Sequence, residues 1–140
     1  MIDKYNDYLK YELNYSDYTI KEYIIHVNEF LLYCKNNNIN YLTINKDSII
    51  NYLKYLDNLS NKSISAILSA LRSFYNYLLD NGFISANYFK LISNPKLEKK
   101  LPTFLNYEDM RKVIDSIGEK NVLEIRNKMI IELLYATGIR

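Results

Sequence analysis

Two clusters of side chains in this 140-residue chain have the types and spacing to meet a phosphate. One is Thr19 with Lys21; the other is Lys62, Ser63, Ser65 and Ser69. Each cluster follows a predicted helix start. There the unpaired backbone amides and the positive end of the helix dipole favour anions, and short hydroxyls and lysines can reach phosphate oxygens or base edges. The same residues serve equally well as caps and solvent-facing polar groups. Arg72 lies further along the second predicted helix, with a guanidinium suited either to phosphate or to an internal acid.

Other chemistries find less support. There are fifteen tyrosines, but a free phenol has a pKa near ~10 and is a poor nucleophile unless a site activates it, and no activating group stands beside any of them in sequence. The abundance of Tyr, Asn, Ile and Lys is what AT-rich codons produce. His26 has no second ligand at helical spacing, and Cys34, the single cysteine, has no disulfide partner and reads as a small core residue. No metal and no cofactor are expected. Asp17, Glu22 and Glu29 are ordinary helix-surface acids rather than an acid/base pair.

The elements that would position these residues are helices. Breakers are scarce, with three Gly and two Pro, and long stretches carry the helical period. The first helix is predicted over Ile2 to Leu13. The second starts from Ser16 or Asp17 and runs to about Lys35, with Ile20, Tyr23, Ile24, Val27, Phe30, Leu31 and Cys34 as its stripe. The third follows Asn45 with Ile49, Tyr52, Leu53 and Leu56. The fourth, after Ser60-Asn61, carries Ile64, Ile67, Leu68, Leu71, Phe74, Tyr75, Leu78 and Leu79 and stops at Asn81-Gly82. A short fifth helix spans Ala86 to Ile92. Each main helix is apolar on one stripe, and packing four together buries the stripes. The expected fold is therefore all-α: a four-helix bundle over residues 1–93, an extended linker over 94–105 with Pro95 and Pro102, and two further helices over 106–140. Those two, capped by Asn106 and starting near Val122, are too few to build a core, so their domain is expected to continue past residue 140.

Bulk composition agrees. The chain is 49% apolar and 24% charged, with a net charge of +2. Lys and Arg number six against eight Asp and Glu over residues 1–60, six against two over 61–100, and six against six over 101–140. The positive excess thus falls in the middle third, where it marks either a phosphate-facing surface or a solvated face beside a basic loop. No apolar run approaches the roughly 20 residues of a membrane span, and the N-terminus lacks a basic region followed by an apolar one. A cytoplasmic protein is expected.

The final segment, Glu132-Leu133-Leu134-Tyr135-Ala136-Thr137-Gly138-Ile139-Arg140, resembles a signature segment of the tyrosine recombinases, the phage-integrase and Xer type. Leu68 to Leu78, with Arg72, resembles the last long helix of that family's core-binding, SAM-like domain. Leu9 to Phe30 resembles its early helix pair, and Asn94 to Leu105 its interdomain linker. The similarity runs in order along nearly the whole chain. Two departures, Asn87-Tyr88 where the family often has Asn-Pro and Asn127 in place of an aspartate, fall at structural positions.

The resemblance implies that Arg140 is the first catalytic arginine, binding the scissile phosphate. A planar, permanently charged guanidinium suits that task, and Gly138 lets the chain turn toward it. It also implies a helical module that holds double-stranded DNA through Thr19, Lys21, Lys62, Ser63, Ser65, Ser69 and Arg72. Ala66 and Ala70 would permit close approach, and Lys96, Lys99 and Lys100 would follow the backbone. In the family a downstream tyrosine attacks DNA, and four protomers exchange strands through a Holliday junction, with neither ATP nor a required metal. The remaining catalytic groups come after the Arg140 segment, so residues 1–140 alone are expected to be inactive. A stand-alone helical DNA-binding regulator and a helical protein-interaction module are the alternatives.

Overall fold

The computed structural model describes Met1–Leu97 and Phe104–Ile139. Every regular element among the described residues is helical, and the chain divides into two compact units, Met1–Glu98 and Lys99–Arg140.

In the first unit, helix α1 (Ile2–Asp7) runs on as a π-helical turn over Tyr8–Glu12. Sequence periodicity predicts one uninterrupted helix here. The wider turn, closed by Leu13 N–H donating to the Tyr8 carbonyl at 3.1 Å, keeps Tyr5 and Leu9 fully buried while Tyr8 packs on Tyr77 at 5.2 Å between ring centroids. Asn14, at φ 51, then reverses the chain; asparagine tolerates this left-handed conformation better than most residues.

Helix α2 (Asp17–Asn36) starts from Ser16, whose Oγ accepts from Thr19 N–H at 3.3 Å, so Ser16 rather than Asp17 is the cap. Helix α3 (Lys46–Tyr55) is capped by Asn45, and α4 (Asn61–Asp80) by Ser60. Gly82, at φ 72, ends α4 in the left-handed conformation that glycine adopts cheaply. The fifth helix expected over Ala86 to Ile92 is shorter: one 3-10 turn, Tyr88–Leu91, capped by the Asn87 side chain.

The core lies chiefly between α2 and α4. Val27, Phe30 and Cys34 from α2 meet Ile67, Leu68, Leu71, Phe74, Tyr75 and Leu78 from α4, and α3 adds Ile49 and Tyr52. Each such large apolar side chain contributes about 1.5–3 kcal/mol on burial. The 3-10 turn places Phe89, which is fully buried against Phe30 and Tyr75. Two of the buried phenols have hydrogen-bond partners: Tyr75 Oη donates to the Tyr41 carbonyl at 2.6 Å and Tyr5 Oη to that of Ala70 at 3.5 Å.

In the second unit, Asn106 caps α5 (Tyr107–Ser116) and Asn121 caps α6 (Val122–Thr137). No residue of either helix is buried. Val122, Ile125, Met129, Ile130, Leu133 and Leu134 stand exposed along α6.

Candidate nucleic-acid interface

The α4 start is the better seat for an anion. Its first turn holds no acidic residue, whereas Asp17 sits in the first turn of α2 and opposes a phosphate there. Along α4, Lys62, Ser65, Ser69, Arg72 and Asn76 recur at three- and four-residue intervals and so form one stripe. Lys62 is exposed, and Ser65 and Ser69 are half-buried. Ser69 Oγ donates to the Ser65 carbonyl at 2.9 Å, which uses its proton and leaves the oxygen to act as an acceptor.

Ser63 lies off this stripe. It shares the spacing of Ile67 and Ala70, and its hydroxyl pairs with Ser60 Oγ at 2.9 Å in the cap. Ala70, expected on the DNA side, is fully buried; Ala66 is exposed beside Lys62 and Ser69.

On α2, Thr19 is half-buried, with Oγ1 paired to Ser16 Oγ at 2.9 Å. It lies one turn before Tyr23. Lys21 is exposed but sits two residues on, about 200° round the helix, and so presents a different face from Thr19. The structure does bring Tyr23 and Tyr15 together with Ser69, Arg72, Ser73 and Asn76 around one open cleft of about 380 Å³. The Thr19–Tyr23 edge of α2 therefore adjoins the polar stripe of α4. Sequence reasoning missed Tyr15, Ser73 and Asn76. Asn76 was recoverable from the stripe's spacing; Tyr23 was not, because it stands on the apolar stripe of α2, nor was Tyr15, because it lies in the break before α2. Neither Lys21 nor Lys62 makes an ion pair among the described residues.

Arg72 has internal partners that its place in the sequence does not suggest. Its Nε donates to the Phe89 carbonyl at 3.1 Å and its Nη2 to the Ile92 carbonyl at 2.6 Å. Two of the donors read as phosphate ligands, or as partners for an internal acid, are thus spent on backbone oxygens within the unit.

Burial pushes the phenols of Tyr5, Tyr52 and Tyr75 well above their ordinary range, which disfavours the reactive anion. His26 Nδ1 lies 3.4 Å from Glu29 Oε2, a surface pairing. Among the described residues no group of three His, Cys, Asp or Glu could hold a metal, and no helix is long and apolar enough to cross a membrane.

Gly138 adopts φ 63, and its N–H donates to the Leu134 carbonyl at 2.9 Å, so α6 ends in the turn its sequence suggests. Arg140, Lys99 and Lys100 lie outside the described residues; Lys96 is exposed.

Residues 2–82 match the family model described as phage integrase, N-terminal SAM-like domain. The chain is 36% identical over 137 residues to a protein of Bacillus subtilis named tyrosine recombinase XerC, covering 96% of this chain and 45% of that protein. Proteins of the same name from Staphylococcus aureus and Halalkalibacterium halodurans are 37% and 33% identical, covering 99% and 95% of this chain and 47% and 45% of theirs. The chain thus spans about half the length of these relatives. No solved structure gives a significant match.

Proposed function

The chain belongs to the phage-integrase (tyrosine recombinase) family, with the SAM-like domain of that family at its N-terminus, and from that premise we propose that it is the DNA-holding portion of a site-specific tyrosine recombinase. The observation that carries the reading is the α4 stripe of Lys62, Ser65 and Ser69. It starts at a helix N-terminus free of acids and meets the Thr19–Tyr23 edge of α2 across an open polar cleft. Phosphates would sit at the α4 amides and Lys62, with Ser65 and Ser69 toward the base edges. Thr19 would flank them. Lys21 would reach a phosphate from the far side of the first turns of α2, and Ser63 would act through the cap. The organisation proposed is a DNA-holding module over residues 1–93, a linker over 94–105, and the start of a catalytic domain over 106–140. There Arg140, next but one after the Gly138 turn, would address the scissile phosphate.

Strand cleavage would require groups beyond those found here. Burial suppresses ionisation of the Tyr5, Tyr52 and Tyr75 phenols, and the family's attacking tyrosine comes from a later segment, so residues 1–140 alone should bind DNA without cutting it. The protein would act in the cytoplasm on duplex DNA, and the parent recombinase would act with further protomers, four in a synaptic complex.

Titrating a fluorescein-labelled duplex with the 140-residue chain at two salt concentrations tests the reading. Each phosphate contact contributes about 0.9 to the slope of log K against log salt, so a fourfold rise in salt should weaken binding about 3.5-fold per contact. Absence of binding in dilute buffer refutes the proposal.

A further inference from the structure

The segment that leaves α4 for the second unit is held against α4 by more than the burial of Phe89. Arg72 takes the Phe89 and Ile92 carbonyls at 3.1 and 2.6 Å. Asn61, in the first turn of α4, donates from Nδ2 to the Lys96 carbonyl at 3.0 Å. Asn87 Nδ2 donates to the Arg72 carbonyl at 3.2 Å and to Asn76 Oδ1 at 3.0 Å, and its Oδ1 accepts from Phe89 N–H at 3.0 Å. A strap with no regular structure of its own after Leu91 is therefore tied at both ends of a long stretch of α4. Arg72 and Asn76 also line the cleft beside Ser69, so the tie points and the proposed DNA-facing stripe share one helix.

We propose that Arg72 and Asn61 are positioning residues that clasp residues 90–96 along α4, so that the place where the chain departs for its second unit is registered to the helix that lies on DNA. The guanidinium suits this role because its planar fork meets two carbonyls at once; a lysine keeps the charge but not the fork. Phe89 anchors the strap by burial, and the clasp governs only the residues beyond that anchor. With the clasp gone, a label at residue 94 sits on a tether five residues past Phe89, with an r.m.s. reach of about 12 Å. The clasp itself stands on the internal hydrogen bonds; its consequence for DNA rests on the function proposed above.

The test uses the 140-residue chain with nitroxides at Asn28→Cys and Asn94→Cys, both exposed positions in the first unit; buried Cys34 stays unlabelled. Spin–spin distance distributions are compared for the parent, Arg72→Gln, Arg72→Lys and Asn61→Ala, with duplex binding measured in parallel. The clasp predicts that Arg72→Gln and Arg72→Lys broaden the distribution alike and that Asn61→Ala, an exposed change remote from the core, broadens it too. The salt slope of DNA binding should be the same in Arg72→Gln as in the parent. Unchanged widths in all three variants overturn the proposal. So does a loss of about one phosphate's slope in Arg72→Gln that Arg72→Lys restores, because that is the behaviour of a phosphate ligand. If the parent ignores duplex DNA the functional reading falls, and the widths alone then judge the clasp.

Discussion

Replacing Phe89 by alanine should be among the most damaging single changes in the first unit. Phe89 is fully buried although it stands on a four-residue turn outside the main helices. Its ring lies 5.6 Å from Phe30 at 84° and 4.7 Å from Tyr75 at 49°. Truncation removes both aromatic contacts, each worth about 0.5–1.5 kcal/mol beyond area burial. It also leaves a cavity that the site closes poorly, because the flanking backbone is held by Asn87 at the Phe89 N–H and by Arg72 at its carbonyl. Within the range of about 3–5 kcal/mol for such truncations, a pinned backbone argues for about 4 kcal/mol. In urea, with an m-value near ~1.5 kcal/mol/M, that lowers the midpoint by about 2–3 M. Equilibrium unfolding followed by far-ultraviolet circular dichroism measures it, with Phe89→Leu, which keeps much of the apolar bulk but loses both aromatic contacts, expected to cost about 1–3 kcal/mol and less than Phe89→Ala. A loss under about 1 kcal/mol for Phe89→Ala would show that the turn frays in solution and that the strap is not anchored by burial.

Three other perturbations have definite expected outcomes. Ser60→Ala removes the acceptor for Ser63 N–H and should cost about 1 kcal/mol, read as a lowered Tm, while Ser60→Gly costs only a few tenths. Lys62→Ala should reduce the salt slope of DNA binding by about 0.9, whereas Lys54→Ala, at the far end of α3, should leave it unchanged in the same anisotropy titration. Stability should fall at alkaline pH. Burial raises the Cys34 thiol from 9.0 to about 11 and raises the phenols of Tyr5, Tyr52 and Tyr75. These groups stay protonated in the folded state while the unfolded chain ionises. Their contribution is whole below pH 9 and is lost as pH climbs from about 9 toward 11 and beyond, at up to about 1.4 kcal/mol per pH unit for each group. Urea midpoints flat from pH 8 to 10.5 would contradict that burial.

Much of this protein could be read along one dimension. Apolar stripes at a period of 3.6 set the four helices of the first unit, and Ser16, Asn45, Ser60 and Asn106 stop and start the chain because a short side-chain oxygen meets an amide three residues on. Such interactions are local, so spacing alone specifies them. The polar stripe Lys62–Ser65–Ser69 is legible for the same reason. The π-helical turn at Tyr8–Glu12 was not, since its register answers to where Tyr5 and Tyr8 meet Phe74 and Tyr77 of α4.

Tertiary packing decided everything that depends on which surfaces meet. It buried Ala70 and drew Tyr15 and Tyr23 to the side of Ser69. It also spent the Arg72 guanidinium on carbonyls seventeen and twenty residues away. A side chain's angle about its own helix is fixed by its number. The partner for its donors depends on how helices cross and where the returning chain lies, and those are set by many weak contacts summed across the core rather than by any residue's neighbours in sequence.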